Sequence, residues 1–174
     1  MSTLGIIVLV IISILAGFFI NSVIYYAKQK VKIGEPAPSF YAELLGGNKI
    51  GLGKWEKPPN PILLCFISPH CSVCRRLARY LEELNTKYKQ AGIDVILLGI
   101  NGSKEDFIRW KKVSQIDLPI AVDINGTSKV HYVVYSLPAV FYISSGGIIK
   151  MMHTGFKAGD DEKLAALFKK RLDK

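Results

Sequence analysis

The stretch Pro61-Ile62-Leu63-Leu64-Cys65-Phe66-Ile67-Ser68-Pro69-His70-Cys71-Ser72-Val73-Cys74 decides the fold class, because an apolar run leads through a proline turn into two closely spaced thiols. A short Ile, Leu and Phe run bounded by prolines reads as a buried strand. On the far side, Arg75 to Leu84 sets Leu77, Leu81 and Leu84 at helical spacing with charges in most other positions. The cysteine pair therefore sits at a strand-to-helix corner. There the first N–H groups of the helix lack intrahelical acceptors and the helix end is positive, so an anion is favoured.

Two thiols at this spacing can share one disulfide and pass an electron pair. His70, Arg75 and Arg76 add positive or proton-donating groups beside Cys71, while Cys74 is expected a turn further in and more buried. Cys71 is thus the candidate nucleophile, His70 a candidate tuner of its thiolate, and Cys74 the candidate resolving thiol. A fall in the Cys71 pKa from about 8.5 to about 7, near 2 kcal/mol, would raise the thiolate fraction at neutral pH from a few per cent to about half. A structural zinc site would need four ligands, usually a second pair at comparable spacing, but Cys65, His131 and His153 stand singly. Cys65 reads as a small apolar core residue.

The chain has 174 residues, a formal net charge of +9 and 49% hydrophobic residues, which allows one domain with a proper core plus an apolar segment. No charged side chain occurs from Ser2 to Ala27, and Leu4 to Tyr26 is almost wholly apolar, ample for the roughly 20 residues that cross a bilayer. Met1-Ser2-Thr3 carries no basic side chain and the run is long, so an uncleaved anchor is expected rather than a signal peptide. Residues 1–32 are read as a transmembrane helix and basic linker, and 33–174 as one domain. Tyr25 and Tyr26 suit the interface, followed by Lys28, Lys30 and Lys32. By the positive-inside rule those lysines argue for a cytoplasmic domain. A tethered dithiol is most useful where proteins acquire disulfides, however, and the expectation is an extracytoplasmic domain on a single-pass anchor. The remaining basic residues, Lys54, Lys57, Lys87, Lys89, Lys111, Lys112 and the Lys169-Lys170-Arg171 tail, are too spread for a nucleic-acid site and read mostly as solvated surface, with anionic lipid head groups a secondary candidate partner.

Outside the motif, Gly46 to Ile50 reads as a hairpin turn, and Pro58-Pro59-Asn60-Pro61 blocks helix or ladder until a core strand begins at Ile62. Ile93 to Ile100 is a buried-strand pattern. Glu105 to Val113 is expected as a helix with Phe107, Trp110 and Val113 inward. A strand at Ile120 to Val122, a helical piece at Ser128 to Tyr132 and a hairpin from Ala139 to Met152 follow. A helix from Asp160 to Leu172 closes the domain, with Leu164, Leu167, Phe168 and Leu172 on one face. This order implies an α/β fold, a mixed sheet with helices on both faces.

From about Ile33 to Lys174 the sequence resembles the thioredoxin superfamily, particularly the membrane-anchored TlpA/ResA-like reductases. The resemblance rests on Gly34-Glu35-Pro36-Ala37-Pro38-Ser39-Phe40, on Cys71-Ser72-Val73-Cys74, and on Tyr135 to Ile143 with Gly147 and Gly155. The Ser-Pro-x-Cys-x-x-Cys wording also resembles MauD, an accessory protein of methylamine dehydrogenase maturation. The resemblance implies a thioredoxin-like fold and thiol-disulfide exchange through a redox-active Cys71–Cys74 disulfide, with no other cofactor and no metal. The implied partners are a client protein with a disulfide or dithiol, a membrane redox partner as electron donor, and the lipid bilayer. Clients in cytochrome c or oxidase assembly, or other redox enzymes, fit it. Ser72-Val73 does not fix the potential, so net direction is open.

The resemblance also makes Pro138 a cis-proline packed against the disulfide, with Leu137 presenting its backbone to an extended client segment; read alone, Pro138 is a proline opening an edge strand. Thioredoxin has a buried aspartate six residues before the first cysteine, where this chain has Cys65. Some TlpA/ResA-like members carry a glutamate in the central insertion, near Gly102 and Ser103 here, and this chain has no carboxylate at those two positions; Glu105 and Asp106 read as helix-start residues. Two alternatives remain. A Sco-type copper-delivery protein would need His131 or His153 to reach the cysteines. A peroxiredoxin-like peroxidase would need a Pro-x-x-x-Thr-x-x-Cys pattern, which neither Cys71 nor Cys74 has.

Overall fold

The computed structural model describes residues 3–28, 31–53 and 56–172. Lys30 and Lys54, named above among the basic residues, lie outside them. The chain divides into two units, 1–30 and 31–174. The first is a single 26-residue helix, α1 (Thr3–Lys28), whose described apolar side chains, such as Ile12, Leu15, Phe18 and Phe19, are all exposed. On described side chains alone, no helix is long and apolar enough to cross a membrane. Within α1 those side chains form an unbroken run only from Val10 to Ser22.

The second unit is built on β3 (Ile62–Ile67), every residue of which is buried. Side chains alternate across a strand. Leu63, Cys65 and Ile67 accordingly enter one core cluster, and Ile62, Leu64 and Phe66 the other. β3 runs parallel to β4 (Asp94–Gly99), and β4 parallel to β5 (Ile120–Val122). On the other flank β6 (Ala139–Ile143) and β7 (Ile149–Thr154) follow antiparallel. A hairpin of β1 (Phe40–Leu44) and β2 (Lys49–Leu52) completes a seven-stranded sheet in the order β2-β1-β5-β4-β3-β6-β7. The hairpin turns where expected, with Gly47 at φ 94° donating its N–H to Leu44 O at 2.8 Å.

On the first face α2 (Ser72–Lys87) buries Cys74, Leu77, Ala78, Leu81 and Leu84 against the sheet. Each fully buried leucine of this stripe is worth roughly 1.5–3 kcal/mol. The same cluster takes Phe107 and Trp110 from α3 (Lys104–Ser114) and Leu164 and Phe168 from α5 (Asp160–Leu172). On the opposite face the short α4 (Thr127–His131) leads into Tyr132, which is buried among Phe40, Phe66 and Phe141 and donates its hydroxyl to Pro38 O at 2.8 Å. The fold is thioredoxin-like, a mixed sheet flanked by helices.

Two inward assignments from the sequence are corrected. Val113 is 64% exposed, because α3 buries positions 107, 110 and 114, and the inward place near its end belongs to Ser114. Leu172 is 44% exposed at the last turn of α5, beyond the sheet that covers Leu164 and Phe168.

An acid anchors the start of α5. Asp160 is buried, accepts from Lys157 N at 2.9 Å, and lies 2.8 Å from His153 Nε2 and 3.1 Å from Lys163 Nζ. The backbone hydrogen bond from Lys157, opposed by burial and helped by His153 and Lys163, holds its carboxyl well below the usual range. A folded pKa below the unfolded value of about 3.9 contributes stability that is present above that value and lost as pH falls beneath it. Urea unfolding from pH 6 down to pH 3 should therefore show a steeper acid loss for the native chain than for Asp160→Asn; parallel curves would refute the assignment.

Candidate active site

β3 delivers the chain to the sheet's end, and Ser68-Pro69-His70 turns it into α2. Cys71 N donates to Ser68 O at 3.2 Å and His70 N to Ser68 Oγ at 3.4 Å, so the buried Ser68 ties the turn together. Cys71 is the N-cap of α2, with extended φ −98° and ψ 106°. Its Sγ accepts from Cys74 N at 3.1 Å. A sulfur here occupies the place where a serine or aspartate oxygen usually satisfies a free N–H of the first turn. Cys71 and Cys74 form a disulfide, with Cα atoms 5.2 Å apart.

The two sulfurs have unequal surroundings. Cys74 is fully buried among Leu77, Ala78 and the strand residues, whereas Cys71 is half-exposed at the rim of the same cluster. An attacking group from outside meets Cys71 first. The helix end and the Cys74 N–H would stabilise negative charge on the Cys71 sulfur once the disulfide opens. His70 is exposed, and Arg75 is half-buried with Nε buried and unpartnered among the described residues.

The Leu137–Pro138 bond is cis. Phe66 pairs with Ala139, and one step further along the register Pro138 comes level with Ile67, the residue from which the chain runs on to the cysteines. Pro138 O accepts from Gly155 N at 2.7 Å, and half-buried Leu137 packs on both core clusters, including the one that carries Cys71. The order Tyr135-Ser136-Leu137 ahead of it is exposed, exposed, half-buried, with Tyr135 92% accessible.

Sequence reasoning missed the support behind this turn. A Cβ on Gly102 would come 2.7 Å from Pro69 Cγ, and one on Gly99 2.5 Å from Phe107 Cζ. Two glycines at the end of β4 and just beyond it thus let Phe107 and Pro69 close up under the cysteine turn. Glycines beside a strand end were the available signal, but nothing in sequence marks what they approach.

Cys65 lies within the core, its thiol pushed far up by burial and 3.9 Å from Leu63 O. Asp106 serves the helix start: it accepts from Ser103 N at 2.9 Å while Ser103 Oγ accepts from Asp106 N at 3.2 Å, and Glu105 is exposed beside it. The two other histidines have partners other than the cysteines. His131 Nδ1 is 3.1 Å from Ser39 O, and His153 faces Asp160. Among the described residues no three His, Cys, Asp or Glu side chains converge as metal ligands.

Residues 33–152 match the AhpC/TSA family, which spans both the cysteine pair and Pro138. The chain is 32% identical over 144 residues to the thiol-disulfide oxidoreductase ResA of Bacillus cereus, covering 82% of this chain and 81% of that protein. It is 27% identical to ResA of Halalkalibacterium halodurans, over 85% of this chain and 83% of the relative. Among solved structures, a candidate thiol:disulfide interchange protein DsbE from Chlorobium tepidum superposes with a TM-score of 0.74 at 24% identity, covering 82% of this chain and 99% of that one. StoA from Bacillus subtilis gives 0.62 at 15% identity, with 75% and 96% covered. The chain belongs to the AhpC/TSA family. Within it, this is an enzyme of the thiol-disulfide oxidoreductase class, ResA-like in sequence, whose redox group is the Cys71–Cys74 disulfide.

Burial orders the three thiols. After reduction, a small alkylating reagent at neutral pH should modify Cys71 alone in the folded protein, with Cys65 and Cys74 reacting only in denaturant, as read by intact-mass and peptide mass spectrometry. Native modification of Cys65 ahead of Cys71 would contradict the burial order.

Proposed function

We propose that the protein is a membrane-tethered oxidoreductase that reduces selected disulfides of client proteins. The observation that carries this reading is the asymmetry of the pair: Cys71 caps α2 half-exposed, and Cys74 is closed off beneath it. The Cys71 thiolate attacks a client disulfide, forming a mixed disulfide and expelling one client thiolate, which takes up a proton. Cys74 then loses its proton and attacks Cys71 Sγ, restoring the intramolecular disulfide as the second client thiolate departs. Two electrons have passed to the client, and an external donor at the membrane returns them.

Leu137 and Pro138 lie just before β6, the strand adjoining β3, at its cysteine end, a position suited to holding an extended client segment beside Cys71. His70 borders Cys71 and is assigned the tuning of its thiolate. Client proteins in cytochrome c or oxidase assembly, or in the maturation of another redox enzyme, fit a reductase of this kind, since cysteines must be free before they bind a cofactor.

The tether is α1. Its 26 residues span about 39 Å at 1.5 Å per residue, against a hydrocarbon core of about 30 Å. From Thr3 to Ala27 its sequence holds no charged side chain, and a row of exposed Ile, Leu and Phe has no role in water. Disulfide chemistry favours an extracytoplasmic catalytic domain on this single-pass anchor, against the pull of Lys28, Lys30 and Lys32.

In cells, Cys74→Ala should accumulate a reducible mixed disulfide between Cys71 and the client, identifiable by mass spectrometry, whereas Cys71→Ala should capture none and lose reductase activity. A membrane-impermeant maleimide should reach Cys71 of the reduced enzyme in intact cells. Normal turnover by Cys74→Ala would refute the two-thiol mechanism, and protection of Cys71 from the maleimide would place the domain inside.

A further inference from the structure

The end of the sheet opposite the cysteines carries a group of cations that the redox mechanism does not use. Pro61, Tyr142, Ser144, Ser145, Lys150 and Arg171, with Leu167 and Lys170, line a cavity of about 470 Å³. Lys150 stands near the start of β7, and Lys170 and Arg171 come from the last turn of α5, so two elements converge on it. None of the three forms an ion pair among the described residues, although Lys32, Lys104, Arg109 and Lys163 all do. The Arg171 charge is close enough to the Tyr142 phenol to oppose the effect of burial on it. Ser145 adds an exposed hydroxyl, and among the described residues no carboxylate lines the cavity.

Position gives this basic face its partner. β3 begins at Ile62, beside Ile143, and ends toward Cys71, so the cavity and the disulfide are separated by the length of that strand, about 20 Å. The chain arriving from α1 is stitched to the same end: Gly34 N donates to Ile149 O at 2.8 Å, Ile149 N to Glu35 O at 2.9 Å, and Pro36 bridges Ile148. Lys150 is the next residue. From Lys28 at the end of α1 to Gly34 the chain can reach only about 20 Å when extended. Charged, hydroxyl-bearing and beside residues 34–36, which enter the domain a few residues after α1, this face matches the phosphates of a bilayer surface.

We infer that Lys150, Lys170 and Arg171 dock the catalytic domain onto anionic phospholipid head groups, holding the Cys71–Cys74 end away from the membrane and toward clients. This rests on the anchored reading. Each cation near an anionic leaflet adds an increment that salt screens, so contact depends on lipid charge and ionic strength. A domain so held meets clients from one side, while one merely leashed would turn freely.

The test uses the full chain in nanodiscs doped with gadolinium-chelating head groups, made of phosphatidylcholine alone or of phosphatidylglycerol, with amide signals read by NMR. In phosphatidylglycerol the amides of residues 144–150 and 169–172 should broaden several-fold more than those of 69–74 and 135–138, and added salt should erase the contrast. The triple variant Lys150→Ser, Lys170→Ser, Arg171→Ser should lose the contrast while keeping its dispersed spectrum and its reductase activity. Equal broadening in both lipids, or contrast that survives in the variant, overturns the proposal. Inorganic phosphate that shifts the amides of 144–150 saturably in phosphatidylcholine discs also overturns it, in favour of a soluble anion. A chain that fails to elute with the discs sinks the anchored reading itself.

Discussion

The N-terminus of α2 is fixed by a strand that cannot move. β3 is buried on both faces and hydrogen-bonded on both edges, to β4 and β6, so its last residue sets where the chain leaves the sheet. After only three residues, Ser68 to His70, comes the helix cap, and its side chain is a thiol. From this one constraint come the exposure of Cys71, the burial of Cys74 one turn inward, and the backbone N–H that faces the outer sulfur. A flexible loop carrying the same two cysteines could form the same disulfide, but it would not distinguish one sulfur from the other. Distinction between the sulfurs is what lets a dithiol accept a client at one atom and release it with the second.

The rest of the domain keeps that corner in place. α2 is held on the sheet by an unbroken apolar stripe, α3 supplies Phe107 from below, and Gly99 and Gly102 leave room for the ring and for Pro69 to close up. β6 starts at the same end of β3 with the cis-proline before it, so two segments distant in sequence, around residues 70 and 137, are brought to one edge. At the other end of the sheet sit residues 34–36 and the basic residues Lys150, Lys170 and Arg171, which form no ion pair among the described residues. The disulfide and this basic face are thus separated by the sheet's own length.

Much of this was legible beforehand because periodicity and punctuation speak directly. The prolines before Ile62, the glycine turn at 46–47 and the leucine spacing of α2 each have one local solution, and the structure adopts it. The termini of helices were harder. Val113 and Leu172 carry the right chemistry for the inward face, but burial near a helix end depends on whether a neighbour reaches that far, which no local pattern records. The contact between Gly102 and Pro69 joins residues far apart in the chain and was likewise invisible. The cis bond at Pro138 was inferred from family resemblance, not from the residues themselves. Cys65, which stands where thioredoxin itself has an aspartate, is a fully enclosed thiol whose ionisation burial suppresses.

Every step of the chemistry requires reversible two-electron cycling between Cys71 and Cys74. The direct measurement is a redox titration of the full-length protein in thiol-disulfide buffers, with each state trapped by alkylation and counted by mass. A single two-electron transition confined to Cys71 and Cys74, with Cys65 a free thiol throughout, is the result predicted. Failure of the pair to interconvert, or a disulfide that recruits Cys65, would contradict it.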